Sequence, residues 1–202
     1  MTDRQFLWWL SGGVSALALA GFFWFGVGLG APAANAGWLV FGLSTIFQFG
    51  VGVGLLWLAA RLRRRSGFRA SELRQRGAGE QRETRRIRAV FFWTTLGQAL
   101  LIGLGVWWCV RANRREMIWP WIGLIVSLHL VPLARVFHVR AYYVTAVAGG
   151  IISVMALAAP GTFHNLAYFG GVMATITWLS AAYLLRNADR IAAEVVKQKW
   201  PV

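Results

Sequence analysis

Three polar side chains interrupt the long apolar stretches of this chain: Gln48, Gln98 and His129, each near the middle of a run without charge. In hydrocarbon an amide or an imidazole must find a hydrogen-bond partner. The three are therefore expected to face the interior of a helix bundle, within reach of one another or of Ser44, Thr95, Ser127, Thr175 and Thr177. They then form either a polar site or pathway at mid-membrane, or interhelical hydrogen bonds that hold the bundle together. A neutral imidazole at His129 is able to relay a proton or to act as an acid or base. No carboxylate accompanies it in a span, Cys109 is the single cysteine, and His138 and His164 fall near opposite surfaces. The expectation is that the chain holds no metal and no cofactor. Pro132, three residues beyond His129, deprives the Leu128 carbonyl of its helical donor and is the candidate kink.

Only helices can position such residues here. No Asp, Glu, Lys, Arg or His occurs between Arg4 and Arg61, or within 89–110, 117–128 and 141–162. Runs of about 20 uncharged residues match a hydrocarbon core about 30 Å thick. The fold expected is all-α: a polytopic membrane protein with six transmembrane helices at about 6–30, 37–60, 89–110, 117–137, 141–160 and 165–186. Short first, third and fifth connections arrange them as three antiparallel hairpins. The first run is too long for a signal-peptide core and is read as a retained span. Residues 61–88 make an arginine-rich loop that extends the flanking helices and breaks at Gly77-Ala78-Gly79. Residues 187–202 make a tail, either a short surface helix or a continuation of span six. Small residues at helix-packing spacing (Gly12, Ala16 and Ala20; Gly26 and Gly30; Gly50 and Gly54; Ala146 and Gly150; Gly170 and Ala174) are expected to let backbones approach.

A net charge of +14 raises the question of nucleic acid, but eleven of the 21 basic residues sit in the one loop. Lys and Arg resist translocation, so topology accounts for the excess, and no nucleic-acid partner is expected. With the N-terminus inside, 18 of the 21 basic residues are cytoplasmic and only Arg111, Arg114 and Arg115 lie outside. This places both termini and the loop in the cytoplasm and the chain in a plasma membrane, as in a bacterial inner membrane. Aromatic residues sort into two belts: Trp8, Trp9, Trp57, Trp93, Tyr142, Tyr143 and Tyr183 near the inner boundary, and Trp24, Trp38, Trp107, Trp108, Trp119, Trp121 and Tyr168 near the outer. Arg63, Arg64, Arg65, Arg85, Arg86 and Arg135 are the candidate contacts to lipid phosphate. Anionic lipids at the cytoplasmic face are the expected partner, with a second copy of the chain or another membrane subunit as the alternative.

No span carries a carboxylate, and no nucleophile triad or phosphate loop occurs. The reading that follows is a non-enzymatic protein, either a small transport-type bundle or an accessory, lipid-binding membrane module. One alternative is a membrane-embedded enzyme acting on a lipid or quinone-like substrate with His129 as acid or base. Another is a membrane anchor that recruits an acidic partner through the arginine loop.

Overall fold

The computed structural model describes residues 3–29, 38–67, 78–137, 139–158 and 166–199. These form seven α-helices: α1 (Asp3–Leu29), α2 (Trp38–Arg65), α3 (Ala78–Arg111), α4 (Ile118–Phe137), α5 (Arg140–Ala158), α6 (Leu166–Arg186) and α7 (Ala188–Lys199). Five of them, α1 to α5, are long and apolar enough to cross a membrane. α6 is 21 residues long and uncharged until Arg186, yet it is not among those five.

The helix ends follow from local chemistry. α2 runs five residues past its apolar stretch, because Arg63, Arg64 and Arg65 complement the negative end of the helix dipole. It stops at Gly67, whose φ of 61° lets its N–H turn back to the Arg64 carbonyl at 3.1 Å. α3 begins at Ala78, inside the expected Gly-Ala-Gly break, and ends in a Schellman turn around Asn113 (φ 55°). There Asn113 N–H reaches the Val110 carbonyl at 3.2 Å and Arg114 N–H reaches Cys109 at 2.8 Å. A short 3₁₀ turn, Arg115–Met117, leads into α4, where Pro120 sits in the first turn and interrupts no hydrogen bond. α4 continues through Pro132 as one helix.

The chain divides into two compact units, Met1–Phe68 with Asn165–Val202, and Arg69–His164. In the first, α1 is the hub and packs on α6, α2 and α7. In the second, α4 packs on both α3 and α5. Two of the expected hairpins, α1 with α2 and α3 with α4, are therefore present as packed pairs. The third is not what organises either unit, because α6 finds its main surface on α1 and α5 finds its own on α4. The tail is a distinct helix rather than a continuation of span six. Asn187 forms the bend, its Nδ2 donating to the Tyr183 carbonyl at 2.9 Å, and α7 buries Ala188 and Ala192 while packing on α1.

Each unit contains the same packing device, an indole lying over a glycine. Trp178 of α6 covers Gly21 of α1, and its Nε1–H donates to the Ala18 carbonyl at 3.2 Å. Trp121 of α4 covers Gly105 of α3 and donates to the Leu101 carbonyl at 3.0 Å. A helical carbonyl keeps a second lone pair beyond its own ladder bond, and a glycine three or four residues later leaves that lone pair uncovered. A third glycine, Gly52 of α2, receives the Phe22 ring of α1. At Gly12, Gly26, Gly50, Gly54 and Gly150, by contrast, a methyl group would meet nothing within 4 Å. Gly30 lies outside the described residues.

Gly21→Ala and Gly105→Ala should each cost about 1–3 kcal/mol, because the new methyl must displace a ring. Gly12→Ala and Gly26→Ala should be neutral or stabilising by about 0.5–1 kcal/mol. Thermal unfolding in detergent, followed by circular dichroism, checks the pattern; equal losses at all four positions would contradict it.

Candidate functional site

Two places in the fold gather groups capable of recognition or chemistry. The first lies in the unit formed by α3, α4 and α5. His129 of α4 is half-buried, with its ring edge-on to Phe91 of α3 at 6.4 Å and close to the Thr94 backbone. Gln98 is one turn beyond Thr94, on the half-buried stripe of α3 that also carries Val90, Ile102, Gly105 and Cys109. The structure thus places His129 and Gln98 on the facing sides of one helix pair. Gln48 belongs to α2 in the other unit, one turn before Gly52 and so on the side that meets Phe22 of α1. His129 Nδ1 is enclosed and has no hydrogen-bond partner among the described residues.

Two of the hydroxyls expected to serve this layer, Thr175 and Thr177, turn back on their own helix. Thr175 donates to Gly171 at 2.8 Å and Thr177 to Ala174 at 2.9 Å. Thr94, beside the histidine, donates to Val90 at 2.7 Å. The same habit recurs at Thr145 and Ser153. A hydroxyl that returns to the carbonyl one turn earlier satisfies itself without a second helix.

The second place is a cleft of about 520 Å³ between the C-terminal ends of α2 and α6. Leu55, Leu58, Leu62, Ala182 and Leu185 line it, and Arg61, Arg65 and Arg186 stand at its edge. Arg61 stacks over Trp57, one turn earlier, at 5.6 Å. Arg65 is 3.4 Å from Asp189 at the start of α7, an exposed pair worth little to stability. Nearby, Arg63 lies over the Trp8 ring at 4.9 Å, joining the end of α2 to the start of α1.

Of the arginines picked out for lipid phosphate, Arg65 alone lines this cleft. Arg63 is taken up by Trp8, Arg64 and Arg85 are exposed, and Arg135 is exposed at the end of α4. The Arg86 side chain lies outside the described residues. The sequence marks Arg186 only as a topology signal, and Arg61 only as part of the arginine loop. Their place was visible in the spacing all the same, since Leu58, Leu62 and Arg65, with Arg61 beside them, recur at intervals of three and four on α2.

The aromatic belts separate in the same way. Trp57, Trp93, Trp107, Trp108, Tyr143 and Tyr183 are exposed, as belt residues should be. Trp24, however, is fully buried with its ring against Phe169 at 5.6 Å, and Tyr142 is also buried. Both are core residues of their units. A comparison with protein-family models, curated proteins and solved structures finds no match to this chain.

If His129 were structural glue, replacing it would loosen α4 from α3. The enclosed, unpartnered Nδ1 predicts the opposite, because removing such a group relieves a desolvation cost. His129→Leu should leave the unfolding temperature unchanged or raise it. A fall of several degrees in detergent would show that the imidazole holds the helices together.

Proposed function

We propose that this chain is a six-crossing integral membrane protein that works without covalent chemistry, as a lipid-binding membrane module whose basic end faces the cytoplasm of a bacterial inner membrane. The observation that carries the reading is the meeting of three chain segments at one end of the first unit. The Trp8 ring at the start of α1, Arg63 and Arg65 at the end of α2, and Asp189 just past α6 are linked by the Arg63–Trp8 and Arg65–Asp189 contacts. The Arg65–Asp189 contact supports counting α6 as a sixth span beside α1 and α2, since at 1.5 Å per residue it is about 31 Å long. The shared end also carries arginines, which resist translocation, and this supports a cytoplasmic placement for it. Anionic lipids are the partner that such a surface attracts, at about 1 kcal/mol for each Arg close to the headgroups.

One observation favours a second reading, an enzyme acting on a lipid or quinone-like substrate: the enclosed Nδ1 of His129 has no hydrogen-bond partner among the described residues. Its neighbours are the Phe91 ring and the Thr94 backbone, neither of them ionisable. An acid–base reaction needs an ionisable partner or a substrate that brings one. The non-enzymatic reading is therefore preferred.

Cysteine labelling in intact cells tests the crossing number and the orientation together. The single native cysteine, Cys109, is buried and gives a quiet background. Asn113→Cys should react with an impermeant maleimide from outside. Arg64→Cys and Asn187→Cys should react only after the membrane is opened. External labelling at position 187 would reduce the count to five, and external labelling at 64 would invert the whole arrangement.

A further inference from the structure

We propose that the cleft between the C-terminal ends of α2 and α6 binds one anionic glycerophospholipid, its phosphate held between Arg61 and Arg186 and one acyl chain laid along Leu62, Leu58 and Leu55. The inference deepens the lipid-binding reading above and rests on it.

Two features select this occupant, and a third makes its binding depend on the arginines. The first is the polarity gradient of the wall. From Arg65 back to Leu55 the cleft runs about 15 Å along α2, passing from guanidinium to leucine within three turns. A phospholipid has that gradient in the same direction, charged at the membrane surface and apolar below. An acidic peptide, charged along its length, would leave the leucine floor uncovered.

The second feature is the state of the three arginines. Arg65 already faces Asp189, so part of its charge is met. Arg61 lies over the Trp57 ring at 5.6 Å, a cation–π contact that uses none of its N–H donors on a hydrogen-bonding side chain. Arg186 completes the edge from the other helix. Two planar forks on opposite walls suit the several oxygens of a phosphate.

The third feature is the local dipole. Both walls are helix C-termini, whose exposed carbonyls repel an anion. Binding at this point therefore depends on the arginine side chains and should respond sharply to their loss. A cleft of about 520 Å³ lies within the usual range of about 300–1,000 Å³ for small-molecule sites, enough for a headgroup and the upper part of one chain.

The test uses the full chain reconstituted in vesicles of phosphatidylglycerol and phosphatidylcholine, then gently extracted for native mass spectrometry. The native protein should retain one phosphatidylglycerol. Arg61→Gln with Arg186→Gln should weaken that retention about thirtyfold, a factor of about five for each guanidinium. Leu58→Trp, which fills the apolar floor and leaves every charge in place, should abolish it as well. Arg4→Gln with Arg140→Gln, exposed and outside the cleft, should retain the lipid, and matching circular dichroism spectra show that all the variants are folded.

Retention that survives in the first two variants but is lost in the third puts the lipid elsewhere on the basic face. That overturns the site and leaves the broader reading standing. If the native protein shows no preference for phosphatidylglycerol, both fail. Displacement of the lipid by inorganic phosphate would show that the arginines act alone and overturn the role of the leucines. A co-purifying acidic protein in place of lipid would overturn the choice of occupant.

Discussion

A helix in hydrocarbon gains little by hiding apolar side chains from lipid, so helix association in this chain must come from close contact and from hydrogen bonds. The indole–glycine docking supplies both. Trp178 on Gly21 and Trp121 on Gly105 each bring a large flat side chain down to the backbone of a neighbouring helix, and each spends its N–H on a carbonyl there. Removing the glycine side chain creates the space and exposes the acceptor in one step. Around Trp178 the Phe22 and Phe25 rings complete the contact at centroid distances of 5.8 and 6.2 Å. Phe22 in turn reaches Gly52 of α2. One tryptophan thereby ties α1 to α6 directly and connects, through Phe22, to α2.

Much of the architecture could be read from the residues, because hydrocarbon imposes a simple rule on charge. The uncharged runs give the helices, and the arginine extension of α2 and the start of α3 at Ala78 follow from dipole complementarity and from the Gly-Ala-Gly break. What the sequence hid is partner choice. Gly12 and Gly26 have the spacing of a helix-packing motif but face open space, whereas Gly21 and Gly105 have no such spacing and carry the contacts. Spacing along a single helix says which positions share a face. It does not say which face meets a neighbour when every face is apolar. For the same reason α6 looks like a natural hairpin partner for α5 and yet packs on α1.

The site was legible to a lesser degree. A polar residue deep in a span is conspicuous, and His129 and Gln98 do lie on facing sides of one helix pair. Gln48 sits in the other unit, and Thr175 and Thr177, expected to join the layer, bond carbonyls of their own helix. The α2–α6 cleft is not visible in the sequence because its two walls are more than a hundred residues apart, although Arg65 on its wall is among the expected phosphate contacts. Basic residues at the ends of apolar helices carry a topology signal, and the same residues, Arg61, Arg65 and Arg186, line the cleft.

The division of the chain also bears on its biosynthesis. α3, α4 and α5 are consecutive, so their unit can assemble as soon as α5 has been made. The other unit joins α1 to α6, and the Trp178–Ala18 hydrogen bond spans 160 residues. Until α6 emerges from the ribosome, the groove at Gly21 has no indole to fill it, and α1 waits in the bilayer with its main packing surface open while the intervening helices are threaded in. The first helix to be inserted is therefore among the last to reach its final contacts. During that interval lipids or the insertion machinery must cover the surface that Trp178 later occupies.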